Sequence, residues 1–98
     1  MRILINTKRH HLKVGALNKL LHPNRLEIIK MLEKDGEVRV NEISKCLNLD
    51  QPITSNHLAI LRKMQFVNSR RQGKEVYYSI NESKAKQYME VFELLDEL

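Results

Sequence analysis

Tryptophan is absent from these 98 residues, and only three Tyr and two Phe supply aromatic rings. Aliphatic side chains must therefore fill the core. Cysteine occurs once, at Cys46, which excludes an intrachain disulfide and any Cys-x-x-Cys metal knuckle. Its spacing places it with Ile43 and Leu47 on the inner face of a short helix, as a small hydrophobe. Glycine is scarce, with three residues, and proline occurs twice. No apolar run approaches the roughly 20 residues of a membrane span. Ile3-Leu4-Ile5 is far too short for a signal-peptide core, so a cytoplasmic protein without a membrane partner is expected. There is no Gly-rich phosphate loop, no nucleophile paired with a base and no carboxylate pair at useful spacing. The chain reads as a non-enzyme.

The length predicts one domain over residues 1–98. A domain this small buries a modest share of its surface, so a partner subunit would help to stabilise it. The net charge is +5, and its distribution is uneven. Residues 1–34 balance at +6, 35–61 at −2, 62–74 at +5 and 75–98 at −4. Five cations and no acid within 62–74 make a patch suited to a phosphate backbone.

Hydrophobic periodicity orders the elements. Leu12, Ala16, Leu17, Leu20 and Leu21 predict a helix over 8–21, weakened by Gly15. A second helix runs from Pro23 to Glu33 and stops at Asp35-Gly36. Val38-Arg39-Val40 is β-prone. Asn41 is the expected cap of a short helix, Glu42 to Leu47. Asp50 caps the next helix, Gln51 to about Met64, with Pro52 in its first turn. Leu58, Leu61 and Met64, helped by Ile53 and Ile60, form its buried side. Residues 66–71 and 75–80 read as strands around Gln72-Gly73-Lys74. Asn81 or Ser83 starts a last helix whose stripe is Ala85, Tyr88, Met89, Phe92 and Leu95. The fold class is mainly α with a small β-hairpin: a winged helix-turn-helix.

A major-groove reader needs short polar side chains on the outside of a helix. The helix from Gln51 offers Gln51, Thr54, Ser55, Asn56 and His57 beside Pro52, and ends in Arg62-Lys63. Gln and Asn pair bidentately with adenine; Ser and Thr serve base edges or phosphates. In the hairpin, Arg70, Arg71 and Lys74 flank Gly73, whose turn lets the backbone pass close to a minor groove or phosphate strand. These twelve positions form the candidate DNA-binding set.

Four stretches, in order, resemble the ArsR/SmtB family of winged-helix repressors. His22-Pro23-Asn24-Arg25-Leu26-Glu27-Ile28-Ile29 is similar to its Asp-Pro-Thr-Arg-Leu-x-Ile-Leu helix. Gly36-Glu37-Val38-Arg39-Val40-Asn41-Glu42-Ile43 is similar to Gly-Glu-Leu-Cys-Val-Cys-Glu-Leu. Asp50 to Leu61 resembles Ser-Gln-Pro-Thr-Val-Ser-x-His-Leu-x-x-Leu, and Arg70 to Tyr78 resembles the Arg-Arg-x-Gly-Arg-x-Val-Tyr-Tyr wing. The resemblance implies a homodimer that binds a palindromic double-stranded DNA operator and represses transcription. It also implies that the first and last helices pair across the dimer. Leu12, Leu17, Leu20, Tyr88, Met89, Phe92 and Leu95 are the residues that could form that contact, the alternative being that these stripes only close the core of one chain.

The family's sensing chemistry departs here. Arg39 and Asn41 stand where its paired cysteines do, and a guanidinium is no thiolate ligand. Residues 81–98 hold no His. His10 and His11 point about 100° apart on a helix, so they do not share an ion. His22 precedes a helix-starting proline, and His57 matches a family position on the recognition helix. No metal and no cofactor are expected. A small molecule, a partner protein or the protein's own abundance remains as the signal. The competing reading is a winged-helix protein-interaction module. That would call for an acidic or apolar recognition helix and an uncharged wing, against which the basic patch counts.

Overall fold

Pro23 opens helix α1 (Pro23–Asp35) in the computed structural model, which describes residues 4–6, 11–13 and 18–96. Its missing N–H falls where a helix leaves donors unpaired. His22 is the cap, and its Nδ1 accepts from the Asn24 N–H at 3.1 Å. The helix buries Ile28, Ile29 and Leu32. Gly36 ends it at φ 83°, a region costly for a residue with a Cβ, and its N–H returns to the Leu32 carbonyl.

Strand β3 (Val38–Arg39) leads into α2 (Val40–Leu47). The helix starts two residues before the expected Glu42. Arg39 occupies the cap without a side-chain cap bond, and its Nε donates to Glu42 at 2.7 Å instead. Cys46 is exposed; the inward positions are Ile43 and Ser44, with Leu47 partly buried. Asn48 closes α2 in the left-handed region at φ 53°. Helix α3 (Gln51–Lys63) follows after Asp50, which caps by position but makes no side-chain cap bond.

Gln65, at φ 61°, turns the chain out of α3, and the Phe66 N–H reaches back to the Leu61 carbonyl. Strands β4 (Val67–Gln72) and β5 (Glu75–Ile80) then pair antiparallel, from Val67 opposite Ile80 to Gln72 opposite Glu75. Gly73 at φ 62° takes the first central place of their two-residue turn. Strand β3 adds to the far side of β5, Val38 opposite Tyr78, giving the order β3-β5-β4. Helix α4 (Glu82–Asp96) starts after Asn81, whose Oδ1 accepts from the Lys84 N–H.

The expected helix over 8–21 is corrected. Strands β1 (Leu4–Asn6) and β2 (His11–Lys13) form an antiparallel pair, Ile5 opposite Leu12, and among the described residues of that stretch 18–20 are helical. Leu12 therefore lies on a strand. Leu17, and the side chains of Leu12, Phe92 and Leu95, lie outside the described residues.

One core joins the elements. Leu20, Ile28, Leu32, Val38, Ile43, Leu58, Leu61, Phe66, Val67 and Tyr88 are at most 5% exposed. Each fully buried aliphatic side chain of this kind contributes about 1.5–3 kcal/mol. Phe66 and Tyr88 meet at a centroid distance of 5.2 Å with rings tilted by 47°, a favoured aromatic geometry. Leu20 and Tyr88, expected at a subunit interface, are each 2% exposed within this single chain. They close its own core, while Met89 at 57% and Leu21 at 49% remain open. Among the described residues, no helix is long and apolar enough to cross a membrane.

Candidate nucleic-acid interface

Helix α3 has a buried and an exposed side, and Ile53, expected on the buried one, is 45% exposed. Thr54, His57, Leu58 and Leu61 are buried, a spacing of three, four and seven residues from Thr54 that marks one helical face. Gln51, Pro52, Ser55, Asn56, Ala59, Arg62 and Lys63 are exposed. Gln51, Ser55, Ala59 and Arg62 stand above one another along the outer face. Ala59 is small, which lets a base edge or sugar come close to the backbone there. Pro52 leaves the first turn with one donor fewer, and no acidic residue occupies that turn.

Two of the expected DNA contacts are corrected. Thr54 is 0% exposed, and its hydroxyl donates to the Asp50 carbonyl at 3.1 Å. His57 is 7% exposed. Arg25 Nε donates to its Nδ1 at 3.2 Å, Asn24 Nδ2 lies 3.5 Å from its Nε2, and the His22 ring lies beside it at a centroid distance of 4.7 Å, tilted by 50°. Accepting from Arg25 requires a bare Nδ1. Burial lowers the His57 pKa, and the His22 and Arg25 charges lower it further. The imidazole is a neutral clasp between α1 and α3. Arg25 is itself fixed by a 2.6 Å bond from Nη1 to the Lys19 carbonyl.

The wing projects beside α3. Ala59, Arg62 and Lys63 share an open hollow of about 390 Å³ with Tyr78 of β5. Arg71, Gly73 and Lys74 are exposed at the hairpin tip, where Arg71 Nε donates to the Gly73 carbonyl at 3.3 Å. Arg70 is differently placed. Its Nε and Nη2 grip both oxygens of Glu37 at 3.0 and 2.6 Å, its Nη1 donates to Gln72, and its guanidinium lies 4.7 Å over the Tyr77 ring. The pair is exposed, yet the hydrogen bond from Arg70 holds the Glu37 carboxyl below its usual pKa. Sequence reading did not find this latch, because 33 residues separate the partners and no local pattern links them. The His22–Asn24–Arg25 surround of His57 was hidden for the same reason.

Gln51, Ser55, Asn56, Arg62 and Lys63 of α3 and Arg71 and Lys74 of the wing are all exposed. A polar helix face of groove-reading chemistry, flanked by cations and a tight hairpin, suits duplex DNA.

Comparison with known proteins agrees. The model of the family described as "Bacterial regulatory protein, arsR family" matches residues 22–69. The transcriptional activator HlyU of Vibrio cholerae is 35% identical over 82 residues, spanning 84% of this chain and 75% of HlyU. The transcriptional repressor PagR of Bacillus anthracis is 39% identical over 70 residues, spanning 71% of this chain and 70% of PagR. The solved structure of HlyU superposes with a TM-score of 0.66 at 36% identity, covering 78% of this chain and 84% of that one. The chain belongs to the ArsR family: it is a winged-helix, DNA-binding transcription regulator and not an enzyme.

Proposed function

We propose that the chain is a repressor that binds a palindromic operator as a homodimer, without the family's cysteine or histidine metal switch. The exposed polar stripe of α3 beside a basic wing carries this reading. Gln51, Ser55 and Asn56 read base edges. Arg62, Lys63, Arg71 and Lys74 neutralise phosphate, and Arg70 contributes from its latch on Glu37. PagR, a repressor by name, favours this sign of regulation, while HlyU is an activator by name. Arg39 is committed to Glu42, which leaves it no part in holding a metal.

The test is binding of the purified protein to its own upstream DNA, by fluorescence anisotropy across a salt series, with and without Zn²⁺. Salt-sensitive binding at two chains per site, unmoved by Zn²⁺, is the expected result. Arg71→Ala is expected to weaken binding to all duplexes and to flatten the log–log salt slope by about one. Gln51→Ala is expected to change the preference among operator variants instead. An unchanged slope for Arg71→Ala removes the wing from the interface, and release by Zn²⁺ refutes the metal-free reading.

A further inference from the structure

A second cavity, of about 530 Å³, opens on the flank of α3 towards α4. Lys19, Arg25, Lys63 and Lys84 line it, and no described lining residue is acidic. Lys19, Lys63 and Lys84 form no ion pair among the described residues, and Arg25 uses only two of its N–H groups on Lys19 and His57. The floor is different in kind: Ile60 and Met64 are partly buried, with Tyr88 beneath. The volume lies within the range of small-molecule sites, about 300–1,000 Å³.

We propose that this cavity binds a small amphipathic anion, with an apolar body on Ile60 and Met64 and a carboxylate or sulfonate head among the four cations. A compact inorganic anion would leave the floor wet. A neutral apolar molecule would leave the gathered positive charges without a partner. Ile60 is turned about 100° around the helix from Ala59, off the groove-facing stripe. Duplex DNA lying on that stripe does not fill the cavity. Lys63 borders both surfaces, so an anion held beside it competes with phosphate for the same charge. The ligand is thus an inducer that lowers DNA affinity. This regulatory half rests on the DNA-binding reading above; the binding half does not.

Decanoate is a suitable probe, with decanol and sulfate as controls for tail and charge alone. Titration of the full chain, followed by calorimetry and by NMR shifts at Ile60 and Met64, is expected to show saturable decanoate binding at least tenfold tighter than either control, a difference of about 1.4 kcal/mol. Lys84→Glu is expected to weaken decanoate binding about tenfold or more while leaving operator affinity without decanoate within about twofold. Lys84 lies in the first turn of α4, where a carboxylate suits the helix end, so the variant is expected to fold. Decanoate no tighter than decanol or sulfate, or binding unaltered in Lys84→Glu, overturns the site. Saturating decanoate should weaken operator binding by the wild type and spare Lys84→Glu; equal operator affinity with and without decanoate overturns the inducer role. Because decanoate binding is read on the protein alone, failure of the DNA reading would show separately, in the salt series.

Discussion

A neutral imidazole at position 57 ties α1 to the recognition helix because its Nδ1 accepts from Arg25. Protonation removes that lone pair and sets a second cation against Arg25 and the nearby His22. The folded-state pKa is lowered, while the unfolded chain takes up the proton near 6.5. The unfolded state therefore binds more protons as pH falls through about 6.5, and stability is lost in that interval until the lower, folded pKa is passed. Urea denaturation at pH 7.5, 6.5 and 5.5 is expected to show this loss in the wild type and a smaller one in His57→Gln, which keeps an acceptor without titrating. Glu37 does not interfere, since its pKa is lowered from 4.5 and it stays ionised over that range. Equal pH dependence in both proteins would remove His57 as the cause. The inward placement of Thr54 and His57 was legible, because both share the periodicity of Leu58 and Leu61. Side-chain polarity outweighed position in the sequence reading, and position decided the fold. The partners of His57 were not legible, since α1 and α3 meet only through the tertiary packing.

Between elements, the Arg70–Glu37 latch sets how much charge the wing would offer at the proposed DNA interface. Glu37 precedes β3, and Arg70 lies in β4, so the pair spans the sheet from one side strand to the other. Glu37→Gln releases one positive charge at the wing. Operator affinity at low salt is expected to rise several-fold, and the salt slope to steepen by up to one. A weaker complex would mean that the latch serves to orient the wing, and would refute this charge-masking account. Most elements were readable from local signals that act within a few residues: Pro23 at a helix start, Gly36 at its end, Pro52 in a first turn and Gly73 in the hairpin. The β1–β2 pair was not. Its strands have three residues each, too few for a period-two pattern to stand out, and the apolar spacing from Leu12 onward follows a helical period that runs across β2. The early start of α2 at Val40 has a similar origin, because an Arg39–Glu42 pair stabilises the first turn where a polar cap was expected.

For the whole molecule, the question is which apolar surface remains after the core is complete. Leu20 and Tyr88 are consumed by it, while Met89 on α4 and Leu21 stay open. For the proposed homodimer, Met89→Glu is expected to shift sedimentation from dimer to monomer and to weaken operator binding by about a hundredfold, as the second half-site no longer binds at a raised effective concentration. A variant that sediments as a dimer would place the contact elsewhere. The three-stranded sheet has a consequence of its own. Val38 and Arg39 precede the helix-turn-helix in the chain yet pair with Tyr78 and Tyr77 beyond it. The two strands enclose α2 and α3 in a closed loop of chain, and that loop costs entropy that only the finished core repays. Losing β5 frees β3, and losing β3 unmoors the turn into α2. Unfolding should therefore be all-or-none for wing and helices together: amide exchange in β3, α3 and β5 should converge on one opening free energy, with no intermediate that keeps a reading helix while its wing has melted.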